Sequence, residues 1–588
     1  MPLADGNAVL ESLLDKKAPY KIIQGLVLIF LFAIAVIYPF FYKGNVISQI
    51  SEDKWSFLTG LTLWFRPAFL PEGVFLPGVF LLSALSFAWL VRALRKDGDL
   101  FSRYFSLKNL SATDICVLAF AAASVLSSLF SPYKDQVLWG ELGFNMGLVA
   151  QLIFVAAYFL VSRFFSFDDV FFNMLLASSA GVFLIALLNR FGQDPFAMYD
   201  GILPAQKPFF LSTIGQTTWY SSFVCTVCPL GVFAFWHAAR KRARLLAGLY
   251  TALSAATVVT ANADSAFAGL AAMLGVLLFA SMDSAGKMAR FIEVLVVILA
   301  SWRAVGLAAR FAPSIAAPLD AIGASLSGDA WGWVALFLCI PLLIYFRRRD
   351  LRPAGAMENR GVPEWAQKAF PLAVLAAVAV LSAYIALNTL GKLPEGLSVR
   401  NNYLFFDKDW GHFRGAIWMD TFASIAMALK DAPWQLAIGA GPGCFFMFTY
   451  SRAASNIKSI AYAAAGYQSE KSVVGNAHNE WLNMLVCEGI IGLVSYAGIF
   501  LTSAWRMVRA RKECPECLAV ALCIASYMAH NFFCYQQCIC TIYIFIFMGC
   551  GESLLKKGIP DDVRNYFSML SKKERENDKA RAGKRARR

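Results

Sequence analysis

The sequence predicts an all-α, polytopic membrane protein, and three observations support that class. The chain has 588 residues, of which 58% are hydrophobic and only 16% charged, too few charges to cover a soluble protein of this length. Apolar runs of about 20 residues recur, long enough to cross the roughly 30 Å hydrocarbon core of a bilayer. Basic residues cluster between these runs, as they do in the cytoplasmic loops of membrane proteins.

The apolar runs predict about fourteen transmembrane helices in two groups. We expect about eleven in a membrane domain at 22–387 and three in a C-terminal group at 481–555. The first span follows a lysine-containing segment at 1–21 and is too long for the apolar part of a signal peptide, so we expect a retained anchor. The approximate bounds are 22–41, 73–91, 113–131, 145–162, 170–189, 217–236, 245–261, 265–281, 291–306, 331–346, 369–387, 481–504, 517–534 and 538–555.

The basic residues behind the formal net charge of +14 are distributed as the predicted topology requires and do not form a single basic surface. If the N-terminus is inside, every basic cluster falls on the cytoplasmic side, and both termini are cytoplasmic. Basic groups at span ends indicate contact with membrane lipids and do not resemble a nucleic-acid-binding platform. The clusters lie at 92–103, 240–244, 347–352 and 506–512, and in a basic tail at 556–588.

The thirteen cysteines predict neither a metal site nor a cofactor. Most lie within predicted spans, where a thiol behaves as a small hydrophobic group. Cys514 and Cys517 have CxxC spacing, but no second pair accompanies them.

The connection at 388–480 is the longest between spans, and we expect it to fold on the extracytoplasmic side. It contains aromatic residues, glycines and a helical pattern, and a long ordered loop in a compact protein is usually functional. Apolar residues recur at helical spacing over 413–429, and Pro433 ends the pattern.

Arg414 lies in the first turn of that predicted helix, which is an unfavourable place for a cation. A polyanionic ligand such as a diphosphate would relieve the conflict. Alternatively, Arg414 stacks on Trp418 or pairs with Asp407 or Asp409.

Two further motifs follow in the loop and at its end. The segment GAGPG at 439–443 is typical of a tight turn, although a phosphate-binding nest is also possible. His478, at the outer end of the twelfth predicted span, is either an interfacial anchor or a proton acceptor. Glu488 lies ten residues on, about 15 Å deeper in a helix, so we expect it to fix helix packing through a hydrogen bond.

The segment HNEWLNMLVCEGIIGL at 478–493 resembles the signature of the O-antigen ligase and O-antigen polymerase family. The motifs upstream match in order and spacing: Arg414-x-x-x-Trp418, then Ala432-Pro433, then the glycines of 439–443. Weaker similarity occurs in WGELGFNMGL at 139–148 and in STIGQTTWYSSF at 212–223.

The resemblance implies a glycosyltransferase of polysaccharide and cell-envelope biosynthesis in the bacterial cytoplasmic membrane. It implies transfer of a glycan from an undecaprenyl diphosphate carrier to a glycan, lipid or protein acceptor on the outer face, without a metal. Arg414 would hold the diphosphate, and His478 would act as general base on the acceptor hydroxyl or orient it. We expect Asn479, Trp418, Gly441 and Gly443 to contact substrate.

The sequence departs from the family pattern at two positions. Ala266 in NADSAFAGL and Phe144 in GELGFNMGL stand where family members often carry Arg. A second arginine for the diphosphate would then come from elsewhere. By predicted topology we expect Arg303 or Arg310, and also consider Arg190 and Arg400.

Two other functions share several of these features. A transporter or flippase for lipid-linked oligosaccharides would also need many spans, but the chain shows no repeated halves or broken helices at the midplane. A polymerase of the cell-shape peptidoglycan type would rest on a catalytic carboxylate, for which Asp407, Asp409 or Asp420 are available. The sequence leaves ligase and polymerase undecided.

Overall fold

The computed structural model describes most of the chain. The predicted N-terminal segment up to residue 17 and nearly all of the basic tail lie outside the described residues. So does part of the long connection, at 453–473. The described ranges are 18–43, 49–65, 74–95, 109–166, 169–204, 206–313, 315–351, 362–452 and 474–557.

The described chain is α-helical, which confirms the predicted fold class. Two short antiparallel pairs join β1 (Trp64–Phe65) to β2 (Leu76–Pro77) and β3 (Phe210–Leu211) to β4 (Gly215–Gln216). The helices are α1 (Ala18–Phe32), α2 (Ile50–Thr62), α3 (Val79–Arg95), α4 (Ala112–Phe130), α5 (Lys134–Val137), α6 (Leu148–Phe164), α7 (Asp169–Arg190), α8 (Thr217–His237), α9 (Lys241–Thr260), α10 (Ser265–Ser281), α11 (Ala285–Phe311), α12 (Ala321–Gly328), α13 (Ala330–Asp350), α14 (Glu364–Thr389), α15 (Trp410–Asp431), α16 (Trp434–Ile438), α17 (Phe445–Tyr450), α18 (Glu480–Ala510), α19 (Glu516–His530) and α20 (Cys538–Lys557).

Ten of the described helices are long and apolar enough to cross a membrane, and the chain is a multi-pass membrane protein. They are α1 with its extension to Phe40, α4, α7, α8, α9, α11, α13, α14, α18 and α20. Four shorter apolar helices, α3, α6, α10 and α19, coincide with the other predicted spans. The count of fourteen stays a prediction.

The C-terminal helices form the centre of the bundle. α20 packs on α6 and α19, and 94% of its most apolar stretch is buried. α18 packs on α4 and α19. By contrast, none of the most apolar stretch of α14 is buried, so this helix packs little on the rest of the described chain along that stretch.

Buried ion pairs join three central helices at the end of the bundle opposite His478. Asp114 at the start of α4 accepts from Arg163 of α6 at 2.8 Å and from Lys556 of α20 at 2.6 Å. Its other partners include the Tyr158 hydroxyl and the Ser111 backbone, both at 2.8 Å. A buried carboxylate is tolerated when its oxygens are satisfied in this way.

Helix α18 is broken at Gly489, nine residues after its first residue, Glu480. Gly489 has φ 71° and ψ −173°, which no helical residue adopts, and the break releases carbonyls of the preceding turn. The GAGPG turn supplies the missing donors: Ala440 N–H donates to Val486 O at 3.0 Å and Gly441 N–H to Cys487 O at 2.8 Å. The turn therefore completes the hydrogen bonding of a membrane helix, which lipid could not do.

Glu488, next to the break, makes the interhelical hydrogen bond that its depth led us to expect. Ser124 Oγ of α4 donates to Glu488 Oε2 at 2.5 Å, and the neighbouring Ser127 Oγ donates to Cys487 O at 2.8 Å. These bonds fix α18 to α4 at the level of the break.

We predict that Gly489→Ala destabilises the protein by about 1–3 kcal/mol, because alanine is strained at positive φ. An added Cβ would also collide with the backbone of Ala437 and Ile438. Thermal unfolding of the purified protein in detergent measures the effect. Gly275→Ala in α10 is the matched control, since nothing lies within 4 Å of its added Cβ. Equal melting temperatures for both variants would contradict the role given to Gly489.

Candidate active site

The site forms where several connections meet at one end of the bundle, here called the His478 end. It comprises the connections at 139–147, 206–216, 261–264 and 531–537, together with the described parts of the long connection, 390–452 and 474–479. Direct contacts join them. Trp219 Nε1 donates to the Tyr535 hydroxyl at 2.9 Å, and the Phe144 ring lies 5.8 Å from the Tyr535 ring.

His478 is half-buried and strained at φ 47°. Its backbone N–H donates to Asn476 Oδ1 at 2.9 Å, and its ring packs edge-on against Tyr535 at 5.0 Å between centroids. Neither ring nitrogen has a hydrogen-bond partner among the described residues. Burial and, secondarily, the nearby Arg414 charge lower the pKa of His478 to about 3, so the imidazole is neutral at pH 7.

Arg414 is held beside the same connection that carries Tyr535. Its Nε donates to Phe533 O at 2.9 Å and its Nη1 to Gly411 O at 2.6 Å. The third nitrogen, Nη2, has no partner within the described part of the chain. Arg414 therefore forms neither of the contacts considered from sequence, which were a stack on Trp418 and an ion pair with Asp407 or Asp409.

Trp418 positions the segment that carries His478. Its Nε1 donates to Ala477 O at 3.0 Å, and its ring packs on Trp410 at 5.0 Å between centroids. Trp418 is 9% exposed, so the structure gives it a supporting contact to the residue before His478. The order of motifs in the sequence thus brings Arg414, Trp418 and His478 together.

Asn479 begins α18. Its Oδ1 accepts from Leu482 N–H at 2.9 Å, which is the usual role of Asn at a helix N-cap. This bond fixes the direction of the helix immediately after His478. Whether Asn479 also contacts substrate stays a prediction.

Glu480, the next residue, is fully buried and ties α18 to α19. It accepts hydrogen bonds from the Tyr496 hydroxyl, from the Tyr527 hydroxyl at 3.1 Å and from Asn531 Nδ2. Its own N–H donates to Asn531 O at 2.9 Å. Since 531–537 also holds Tyr535, Glu480 sets the position of His478 relative to that ring.

The GAGPG glycines are in close contact with protein backbone and side chains. The Gly441 N–H that a phosphate nest would need is donated to Cys487 O, and an added Cβ there would lie 2.6 Å from Ser131 Oγ. A Cβ on Gly443 would lie 2.7 Å from Gly140 Cα. The structure gives both residues a packing role, which is the tight-turn interpretation of this motif.

The two positions where the family often carries Arg lie at or near this end of the bundle. Phe144 packs against Tyr535 and against Gly475, three residues before His478. Ala266 is fully buried in the first turn of α10, two residues after Asp264.

Asp264 belongs to a polar cluster that the sequence did not reveal. Its Oδ2 accepts from the Tyr403 hydroxyl at 2.8 Å and lies 3.1 Å from His412 Nε2. Burial raises the pKa of Asp264, but the bonds from His412 and Tyr403 outweigh it and hold that pKa below its usual value. The one available signal was a polar NADS sequence between two apolar runs.

The other arginines considered from sequence have partners outside the segment that carries His478. Arg303 Nη1 donates to Asp329 O at 2.6 Å and Arg310 Nη2 to Gly328 O at 2.9 Å, both at the junction of α12 and α13. Arg190 donates to Thr260 O and Ala261 O below the α9–α10 connection. Arg400 stacks on the Phe405 ring at 5.0 Å. None of these hydrogen bonds or stacks involves the His478 segment.

One comparison with known families found a match. Residues 314–497 match the family model described as O-antigen ligase. This segment, 184 of the 588 residues, is therefore similar to the O-antigen ligase family. The match covers Arg414, Trp418 and His478 and ends within α18, beyond the break at Gly489. No match was found among curated proteins.

The similarity suggests glycosyltransferase-like activity in a membrane protein, and the O-antigen ligase family as such implies a lipid-linked glycan donor and an acceptor. In the described part of the chain, no three His, Cys, Asp or Glu side chains converge as a metal site would require.

We predict that Glu480→Gln lowers stability by about 1–3 kcal/mol, because an amide NH₂ would face groups that themselves donate hydrogen bonds. Thermal unfolding in detergent measures the change. The exposed Glu395→Gln, which makes the same chemical change outside the bundle, is the control. An unchanged melting temperature for Glu480→Gln would argue against the buried network described above.

Proposed function

We propose that this protein is an O-antigen ligase family member that transfers a glycan from an undecaprenyl (polyprenyl) diphosphate carrier to an acceptor hydroxyl. The reaction would occur on the outer face of the bacterial cytoplasmic membrane, as an O-antigen ligase or a polysaccharide polymerase. The observation that carries the proposal is that the connection at 533–535 contacts both residues: Arg414 Nε donates to Phe533 O, and the His478 ring packs against Tyr535. The His478 imidazole is neutral and its ring nitrogens have no hydrogen-bond partner among the described residues.

Arg414 is suited to the donor side of the reaction. Two of its nitrogens are fixed by backbone carbonyls, which leaves Nη2 to meet a phosphate oxygen without further ordering of the side chain. As the bond between the anomeric carbon and the phosphate oxygen breaks, its electron pair goes to the diphosphate. A pre-positioned cation stabilises that leaving charge.

His478 is suited to the acceptor side. Its neutral imidazole can accept the proton of an acceptor hydroxyl while the hydroxyl oxygen forms the new bond to the anomeric carbon. Attack on the face opposite the leaving diphosphate inverts the configuration at that carbon. The expectation of Asn479 and Trp418 as substrate contacts is kept as part of this proposal.

Donor binding would also make His478 a better base. The low pKa of His478 results first from burial and then from the charge of Arg414. A diphosphate bound to Arg414 would offset that charge and raise the pKa of His478 towards neutrality. Proton transfer to His478 would then be more favourable with donor bound than without it.

We predict that His478→Gln lowers the transfer rate by about 10²-fold or more, because glutamine cannot take the acceptor proton. Arg414→Gln should cause a comparable loss by leaving the diphosphate charge unstabilised, of about 10²–10³-fold. Transfer is measured in liposomes with a defined undecaprenyl diphosphate glycan and candidate acceptors.

Two controls make this test specific. His237→Gln and Arg349→Gln change the same residue types at the opposite end of the bundle and should retain activity. In cells, unused lipid-linked glycan should accumulate in the two site variants at normal protein levels. Full transfer by either His478→Gln or Arg414→Gln would refute the proposed assignment.

We predict that transfer proceeds equally with and without EDTA, as the family resemblance implies. The measurement is the initial rate in liposomes prepared from metal-free solutions, with Mg²⁺ added back as the control. A rate that falls with EDTA and recovers with Mg²⁺ would show that a metal takes part.

A further inference from the structure

The chain adopts an unusual backbone immediately before Arg414. Gly411, His412 and Phe413 are all left-handed, with φ of 58°, 58° and 69°. Glycine tolerates this region, but His and Phe are strained there. Strain of this kind persists where surrounding contacts enforce it, and here it presents His412 on the turn that leads into Arg414.

The contacts of His412 leave one side of its ring available. Nε2 lies 3.1 Å from Asp264 Oδ2, whereas Nδ1 has no hydrogen-bond partner within the described ranges. The side chain is 65% exposed, so a ligand can reach it. Asp264 is itself oriented by Tyr403, and its second oxygen, Oδ1, is buried without a partner.

The groups around His412 favour its charged form. The hydrogen bond to Asp264 raises the pKa of His412, and this effect outweighs burial and the repulsion of Arg414, which lower it. Asp320, from the segment before α12, adds a smaller favourable charge. With Tyr403 neutral, the groups facing His412 are thus two carboxyls and one guanidinium.

We propose that His412, held as an imidazolium by Asp264, is the second cationic group that binds the diphosphate of the lipid-linked donor. Its Nδ1–H would donate to one phosphate oxygen while Arg414 Nη2, two residues along the same turn, binds another. The inference rests on the proposed function. It identifies a cationic donor-binding residue in a chain that has Ala266 at the position where related sequences often carry Arg.

A phosphate fits this arrangement better than a neutral sugar hydroxyl. The two free donors, His412 Nδ1–H and Arg414 Nη2–H, both carry positive charge, and charge-assisted bonds to phosphate are about twice as strong as neutral ones. The nearby carboxylate of Asp264 directs its Oδ2 to His412 and Tyr403, so that oxygen is engaged by these two groups. The alternative is a structural pair that only attaches the long connection to the α9–α10 connection.

The test is direct binding of undecaprenyl diphosphate to the full-length protein in detergent, without acceptor, from pH 6 to pH 9. We predict that His412→Gln weakens binding at pH 6 by about 10-fold, the usual effect of losing one charge-assisted hydrogen bond. The wild-type protein should lose the same affinity as pH rises through the pKa of His412, because the cation exists only below it. His412→Gln should lack that pH dependence.

Two further variants separate charge from structure. His412→Lys should bind tightly at both ends of the pH range, because lysine keeps its charge. Asp264→Asn should move the loss of binding to lower pH, since His412 then lacks its carboxylate. His237→Gln is the matched control, and undecaprenol, which has no phosphate, is the probe that should show no difference between variants.

The outcomes distinguish this inference from the proposed function. If the wild-type protein does not bind undecaprenyl diphosphate at any pH, the proposed function itself fails. If the wild-type protein binds it and His412→Gln binds equally well at pH 6, the inference alone is wrong. If His412→Lys loses binding as fully as His412→Gln, the pair is structural. Melting temperatures of all variants identify any that fail to fold.

Discussion

The hydrogen bonds between the GAGPG turn and the broken turn of α18 are the constraint on which the rest of the site depends. A membrane helix cannot leave carbonyls unpaired, so the break at Gly489 requires donors from outside the helix. Ala440 and Gly441 supply them. These bonds fix the long connection to α18, the helix that begins shortly after His478. The site residues on the long connection are therefore held in place by a helix of the bundle.

Backbone strain coincides with the segments that carry function. Seven described residues other than glycine have positive φ, and six of them lie in segments near the His478 end singled out from sequence. They are Asn145, Ser212, Asn262, His412, Phe413 and His478. Strained residues are usually retained where geometry matters more than stability. Here the strain is distributed over four connections that meet at one end of the bundle.

The sequence predicted the parts of this structure that depend on local pattern. Apolar runs predicted the helices, the spacing of motifs brought Arg414 and His478 together, and the cost of burying Glu488 predicted its hydrogen bond. The parts of the structure that the sequence did not predict depend on contacts between residues far apart in the chain. His412 and Asp264 are 148 positions apart, and Tyr535 lies in a short connection without a recognisable motif. The hydrogen bond from Gly441 N–H to Cys487 O was not predicted, because local composition does not indicate the helix break at Gly489.

Helix α14 connects the site to the bilayer itself. Its apolar stretch is unburied, whereas its end is held by Asn388, whose Nδ2 donates to Val399 O and Leu404 O of the long connection, each at 2.7 Å. A helix surrounded by lipid tilts to match the thickness of the hydrocarbon core. Membrane thickness would therefore act on the orientation of the segment that leads to Tyr403 and His412, and lipid composition would become a variable of the proposed site.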